Sequence, residues 1–205
     1  MKSALPAVNP TRHTGKTQFR NNGTKLPFRL ADFWAWSYSS LLNNVIRGNL
    51  AEFIVAKALD IQIGVRTVWA AYDLLMKRPH RKSVKVQVKS ASLLQEWEQD
   101  TLTNVQFNVQ KTRRMNPKTG LYTGKLKRHA DVYVLALLKH KNKHTVQPLD
   151  LAQWEFYVLP VSSLNKRKRS QHSINLNSLA KEKKTLKVQT VDFSGLRSAV
   201  IRAAE

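Results

Sequence analysis

The sequence predicts an α/β domain built on a mixed sheet of about five strands flanked by helices. Three observations carry this. Two stretches with helical spacing of apolar residues occupy 30–44 and 45–59. Apolar runs of strand length follow at 64–75, 84–90, 104–111, 131–139 and 154–160, and a closing helical pattern covers 192–203. A length of 205 residues with 42% hydrophobic residues suits one domain with a sizeable core. Helices on both sides of a run of strands favour a mixed sheet over an all-β arrangement.

Residues 1–29 hold six Lys and Arg and no acid, with Pro, Asn, Thr and Gly but no periodicity. They read as a flexible basic N-terminal arm, leaving 30–205 as a single domain. In "LADFWAWSYSSLLNN", Phe33, Trp36 and Ser40/Leu41 recur at helical spacing, and Asp32 suits the first turn. In "VIRGNLAEFIVAKAL", Ile46, Leu50, Phe53 and Ile54 form an apolar stripe. The first three strands are expected as a meander. Residues 111–129, "KTRRMNPKTGLYTGKLKRH", hold seven Lys and Arg and no acid, with turn signals at Pro117, Gly120 and Gly124. They read as a basic loop. "DVYVLALL" is a core strand by length. A short helical turn at 176–179 and a short strand at 186–190 precede the last helix.

Charge is the strongest compositional signal. Lys and Arg number 35 against 13 Asp and Glu, a formal net charge of +22. A polyanionic partner explains such an excess, because each neutralised phosphate releases condensed counterions. DNA, double-stranded, is the expected partner; a ribosome-like structural protein or a binder of acidic proteins is the alternative. No apolar run reaches the length of a membrane span, and no basic amphipathic helix suggests a membrane surface. Cysteine is absent, which excludes disulfides and thiolate-bound zinc. No segment of signal-peptide character opens the chain, so a cytoplasmic location is expected. The cations expected to contact nucleic acid are Lys85, Arg113, Arg114, Lys125, Lys127, Arg128 and the run Lys166, Arg167, Lys168, Arg169. Solvated loops are the alternative for each run.

With so few acids, each can be placed. Asp32, Asp60, Asp100, Asp150 and Asp192 fall at element ends, where capping explains them. Asp131 is expected to pair with Arg128 or another nearby cation. Glu52 lies beside the apolar stripe of its helix among small residues, and Asp73 interrupts the apolar "WAAYDLLM". Each must find compensation: a shared divalent cation, or one of the many Lys and Arg.

The strand "VKVQVKS" places Val84, Val86 and Val88 on one face and Lys85, Gln87 and Lys89 on the other. A hairpin would set Asp73 beside Gln87. An acid at the end of one strand, a polar-x-Lys pair on its neighbour and a Glu on the preceding helix resemble the PD-(D/E)XK nuclease superfamily. Here the motif residues are Asp73, Gln87-Val88-Lys89 and Glu52. "ADVYVLALL" and "DLAQWEFYVLP" look similar to later strands of restriction-endonuclease-like proteins. Gln87 stands where the superfamily usually has an acid, a Gln-x-Lys variant, and Tyr72 stands where Pro is usual.

The resemblance implies a restriction-endonuclease-like core and a Mg²⁺- or Mn²⁺-dependent DNA endonuclease of restriction or defence type. A non-cleaving nucleic-acid-binding relative and a resolvase- or homing-type nuclease are the alternatives. It implies Glu52, Asp73, Gln87 and Lys89 as catalytic residues, and Glu52, Asp73, Gln87 and the Val88 carbonyl as metal ligands. An amide oxygen can hold a hard cation but brings no charge, so weaker metal binding is expected than with an acid. A homodimer would serve cleavage of both strands. His140 and His144 have the spacing of a helical zinc pair, but "KHKNKH" reads as a loop. Among the tryptophans, Trp97 is the best candidate for base stacking.

Overall fold

The computed structural model describes residues 5, 8–62, 64–66, 70–116, 119–168 and 171–205. Strands β1 (Gln18–Asn21) and β2 (Thr24–Arg29) form an antiparallel hairpin, followed by helices α1 (Leu30–Tyr38) and α2 (Asn44–Ala58). Next come β3 (Leu74–Arg78), β4 (Arg81–Ser92), β5 (Gln106–Asn108), β6 (Thr112–Met115), β7 (Tyr122–Lys127) and β8 (Val132–Leu138). A 3₁₀ turn at Leu151–Gln153 leads into β9 (Trp154–Pro160). The chain closes with α3 (Val161–Lys166), β10 (Ser173–Asn175), α4 (Leu176–Lys181), β11 (Gln189–Val191) and α5 (Leu196–Ala203).

The central sheet has five strands in the order β11-β9-β8-β4-β3. Its β4–β8 pair is parallel, from Val86↔Val132 to Ser92↔Leu138, and the other pairs are antiparallel. The sheet is therefore mixed, as expected. Every residue of β8 is buried, which is why it reads as an unbroken apolar run: it is covered on both faces. Strand β4 alternates. Val84, Val86 and Val88 pack with Ala51, Ile54 and Val55 of α2, in one buried cluster with Leu196, Ala199 and Val200 of α5. The odd positions of β4 share their face with Tyr133, Leu135 and Leu137, beneath a layer that includes Phe107, Leu164, Ile174 and Leu179.

Local chemistry sets the helix limits. Asn43 caps α2 by accepting from the Val45 amide at 3.0 Å, and Asp60 follows the helix with φ 55°, a conformation Asp tolerates. Asp32 accepts from the Arg29 amide at 2.6 Å at the start of α1. Asp150 and Asp192 also accept backbone amides at element starts. Helix α1 buries none of its residues, and Trp36 is 83% exposed.

Four expectations need correction. The strand expected at 64–75 begins only at Leu74; residues 64–66 and 70–73 are not strand, and 67–69, including Trp69, lie outside the described residues. The three-strand meander is not formed, because β8 takes the second edge of β4 and β5 leaves the sheet to pair with β10. The basic loop at 111–129 contains the β6–β7 hairpin; its ten strand positions are all exposed except Met115, so no buried face imposed a readable period. Pro117 lies outside the described residues. Within the stretch expected as an irregular arm, Asn22 (φ 46°) and Gly23 (φ 83°) make the turn of the β1–β2 hairpin. Among the described residues no helix is long and apolar enough to cross a membrane.

Candidate active site at the mouth of the β3–β4 hairpin

Strand β3 pairs with β4 from Arg78↔Arg81 to Leu74↔Val86. The Asp73 amide makes the last backbone rung, donating to the Val86 carbonyl at 3.1 Å. Beyond it the Asp73 side chain takes over. Its Oδ2 accepts the Val88 amide at 2.7 Å and also the side-chain amide of Gln87. A carboxylate thus replaces the next rung of the ladder, which explains why strand pairing stops there. A residue in a strand points its N–H and C=O to the same side, so the Val88 carbonyl faces this opening too. Among the described residues, Asp73 Oδ1 accepts no hydrogen bond.

Burial pushes the Asp73 carboxyl up from the ordinary 3.8 to about 6, and the negative Glu52 adds to the rise. The Val88 amide, the Lys89 ammonium and the Arg66 guanidinium oppose it. Glu52 and Lys89 therefore both sit within electrostatic range of Asp73. They approach from different sides. Glu52 comes from α2, on the Val84/Val86/Val88 side of the sheet. Gln87 and Lys89 rise from the opposite face of β4, beside Tyr133 and Leu135. The structure brings Asp73 into direct contact with Gln87 and sets Glu52 in the same cleft as Asp73, while Gln87 and Lys89 lie on the other face and do not line that cleft.

A cleft of about 610 Å³ opens on the α2 side, lined by Glu52, Arg66, Tyr72, Asp73, Lys77 and Arg114 among others. Glu52 is held by Arg66 in a two-point pair: Nε to Oε2 at 2.6 Å and Nη2 to Oε1 at 2.7 Å. The compensation that Glu52 requires is supplied here by a cation. Sequence reasoning missed Arg66, whose only signal was that need. It also missed Tyr133, opposite Gln87 in the β4–β8 register, whose hydroxyl burial pushes up to about 12 with Asp73 contributing. Among the described residues no group of three or more His, Cys, Asp or Glu converges. The oxygens around the opening are those of two carboxylates, a side-chain amide and a backbone carbonyl, all hard donors.

The expected nucleic-acid contacts separate by burial. Arg114 lines the cleft, and Arg113, Lys125 and Lys127 are exposed on the β6–β7 hairpin beside it. Lys85, half-buried, lies 5.5 Å from the Tyr72 ring centroid. Lys166 and Lys168 are exposed, and Arg169 lies outside the described residues. Two arginines face inward instead. Arg128 is buried and donates to the carbonyls of Val109, Leu164 and Gln171 and to the side chains of Asn165 and Gln171. Arg167 is buried and forks onto Glu182 at 2.9 and 3.0 Å. Both hold the second layer of the domain together. Asp131, expected to pair with Arg128, accepts the Lys85 amide at 2.9 Å and so caps the start of the β4–β8 ladder. Trp97 is 55% exposed, and His140 bonds Thr145 in a loop rather than facing His144 on a helix.

Residues 35–178 match the family model of bacteriophage T4 endonuclease IV. No curated protein matches the chain. The matched span covers most of the sequence, from within α1 to within α4, and includes Glu52, Arg66, Asp73, Gln87, Lys89 and Arg114. The chain belongs to the bacteriophage T4 endonuclease IV family, a family of endonucleases.

Proposed function

We propose that, as a member of this endonuclease family, the chain is a metal-dependent DNA endonuclease whose site follows the PD-(D/E)XK pattern with Gln87 in the second acid position. One observation carries the proposal: the Asp73 carboxylate sits at the opening of the β3–β4 ladder with Gln87 and the Val88 amide on one oxygen, and with Glu52 and Lys89 in electrostatic reach. Membership in the family supports nuclease chemistry, and the net charge of +22 supports a polyanionic substrate.

The donor set fits a hard divalent cation. Two carboxylates crowd a partly buried opening that disfavours their combined charge, and the oxygens available are of the type Mg²⁺ and Mn²⁺ take. When bound, such a cation supplies Lewis acidity and neutralises charge at the scissile phosphate. Asp73 Oδ1, a Glu52 oxygen and the Val88 carbonyl would hold it, with the Gln87 amide turned to present its oxygen. Lys89 stabilises charge that develops on the phosphate oxygens and positions the attacking water. Arg114 and the exposed cations of the β6–β7 hairpin hold the nucleic-acid backbone over the cleft.

The test is cleavage of single- and double-stranded DNA in Mg²⁺, Mn²⁺ and EDTA, by the parent protein, Asp73→Ala and Lys89→Ala. Both variants should lose activity by about 10²-fold or more while binding DNA like the parent. Cleavage that survives EDTA, or an Asp73→Ala variant as fast as the parent, refutes the proposed chemistry. A parent that binds DNA and cuts none under any of these conditions would instead make the chain a non-cleaving binder.

A further inference from the structure

We propose that Arg66 guards Glu52 in the ligand-free protein and exchanges it for a phosphate group of the substrate, so that nucleic acid and divalent cation bind cooperatively. This inference rests on the metal site proposed above and assigns a positioning role to a residue outside its motif.

Three features of the cleft lead to it. Arg66 occupies both oxygens of Glu52, at 2.6 and 2.7 Å, so neither is free to ligate a cation while the pair stands. Its guanidinium is also close enough to Asp73 to act on that carboxylate's charge. Arg66 therefore neutralises Glu52 directly and adds to the effect of Lys89 on Asp73, the other acid a metal would use. Finally, the pair is lopsided in exposure: the Arg66 side chain is 47% exposed and that of Glu52 only 16%. An arriving polyanion meets the guanidinium first.

The chemistry of exchange is favourable. The guanidinium fork matches a phosphate as well as it matches a carboxylate, with two parallel N–H···O bonds in either case. Among the described residues Arg66 has no carboxylate within ion-pair distance other than Glu52. Moving Arg66 onto a phosphate leaves Glu52 without its partner, beside Asp73 in the same half-buried cleft. A divalent cation restores the balance. The converse also holds: a metal on Glu52 expels Arg66, which then needs an anion, and the substrate backbone provides one. Each ligand removes the cost of binding the other, which is positive coupling and must be reciprocal.

The reciprocity supplies the test, with readouts other than cleavage. Mn²⁺ binding to the DNA-free protein is followed by the EPR signal of free Mn²⁺ for parent, Arg66→Gln and Arg66→Lys. Separately, binding of a fluorescent oligonucleotide is followed by anisotropy in Ca²⁺ and in EDTA. Removing the guard should tighten Mn²⁺ binding by Arg66→Gln about fivefold or more. In the parent, Ca²⁺ should tighten oligonucleotide binding by about 5–150-fold, the usual range of coupling between two sites. Arg66→Gln should lose most of that enhancement. Arg66→Lys, which keeps the charge but not the fork, should fall between the two, and it carries the test if Arg66→Gln does not fold. Mn²⁺ binding by the neutral variant that is unchanged or weaker than the parent's overturns the inference and leaves the metal site standing. Absence of Mn²⁺ binding by every variant, with oligonucleotide affinity indifferent to Ca²⁺, overturns both.

Discussion

Replacing Asp73 with Asn should stabilise the metal-free protein at neutral pH while destroying its activity. The carboxyl is held at about 6 instead of 3.8, chiefly by burial and then by Glu52. The folded chain therefore keeps the proton over a pH range in which the unfolded chain has released it. Between those values the unfolded state binds fewer protons than the native state, so stability falls as pH rises from about 4 to about 6 and stays low above that. At roughly 1.4 kcal/mol per pH unit, the rise amounts to about 3 kcal/mol at pH 8. Asn carries no charge, can still accept the Val88 amide through its oxygen, and meets a Gln87 amide that can turn to complement it. Urea unfolding of parent and Asp73→Asn at pH 4 and pH 8 measures this directly. The two should be nearly equal at pH 4 and differ by up to about 3 kcal/mol, in favour of Asn, at pH 8. Saturating Mg²⁺ should narrow the gap by stabilising only the parent. An Asn variant less stable than the parent at pH 8 would refute the reasoning, since Asp73 would then be a structural anchor and not a strained acid.

Other expectations follow from the same geometry. Gln87→Glu adds a charge beside Asp73 and should tighten Mn²⁺ binding, measured by titration calorimetry, while lowering metal-free stability. Neutralising Arg113, Arg114, Lys125 and Lys127 together should make the slope of log affinity against log salt shallower by about 0.9 for each lost phosphate contact on duplex DNA, to a similar extent on all sequences; an unchanged slope means that the β6–β7 hairpin does not touch the backbone. Arg128→Ala should behave differently. It strands the buried carbonyls of Val109 and Leu164 at about 1–3 kcal/mol each, so it should lower the unfolding midpoint in urea and leave the salt slope alone.

The sheet was legible where burial imposes a period. The alternation of Val84, Val86 and Val88 located β4, and the unbroken apolar run located β8. The neighbourhood of Asp73 was legible in part: Asp73 and Glu52, which line one cleft, stood out as acids where acids are costly, and the 14-residue gap from Asp73 suited the hairpin that sets it against Gln87. What escaped detection lacked such a constraint. The β6–β7 hairpin has no buried face, so its sequence shows only charge. The β1–β2 hairpin turns at Asn22-Gly23, but the polar, aperiodic residues on either side show no buried face. Cationic runs gave the composition of a binding surface but not its inventory, because Arg128 and Arg167 lie among exposed Lys and Arg and only their tertiary partners distinguish them. Arg66 was invisible for the reason that makes it interesting: its partner lies 14 residues away on another element, and no local pattern links the two.

The parallel pairing of β4 with β8 sets the timing of assembly on the ribosome. Val86 must find Val132, 46 positions later by the difference of their numbers. At roughly 5–20 residues per second, several seconds separate the synthesis of the two strands. The hairpin that carries Asp73, Gln87 and Lys89 can close early, because its contacts are local. Its second edge stays open until β8 arrives with Asp131, which caps the Lys85 amide. The apolar face of β4 can meet Ala51, Ile54 and Val55 of α2 as soon as it forms, because α2 precedes it, and Leu196, Ala199 and Val200 of α5 join the same buried cluster later. A nascent chain therefore displays Asp73, Gln87 and Lys89 well before it can hold them rigid. Ribosome-bound chains stalled before residue 132 are expected to be cut readily by a probing protease within β4 and to gain protection only once β8 has emerged.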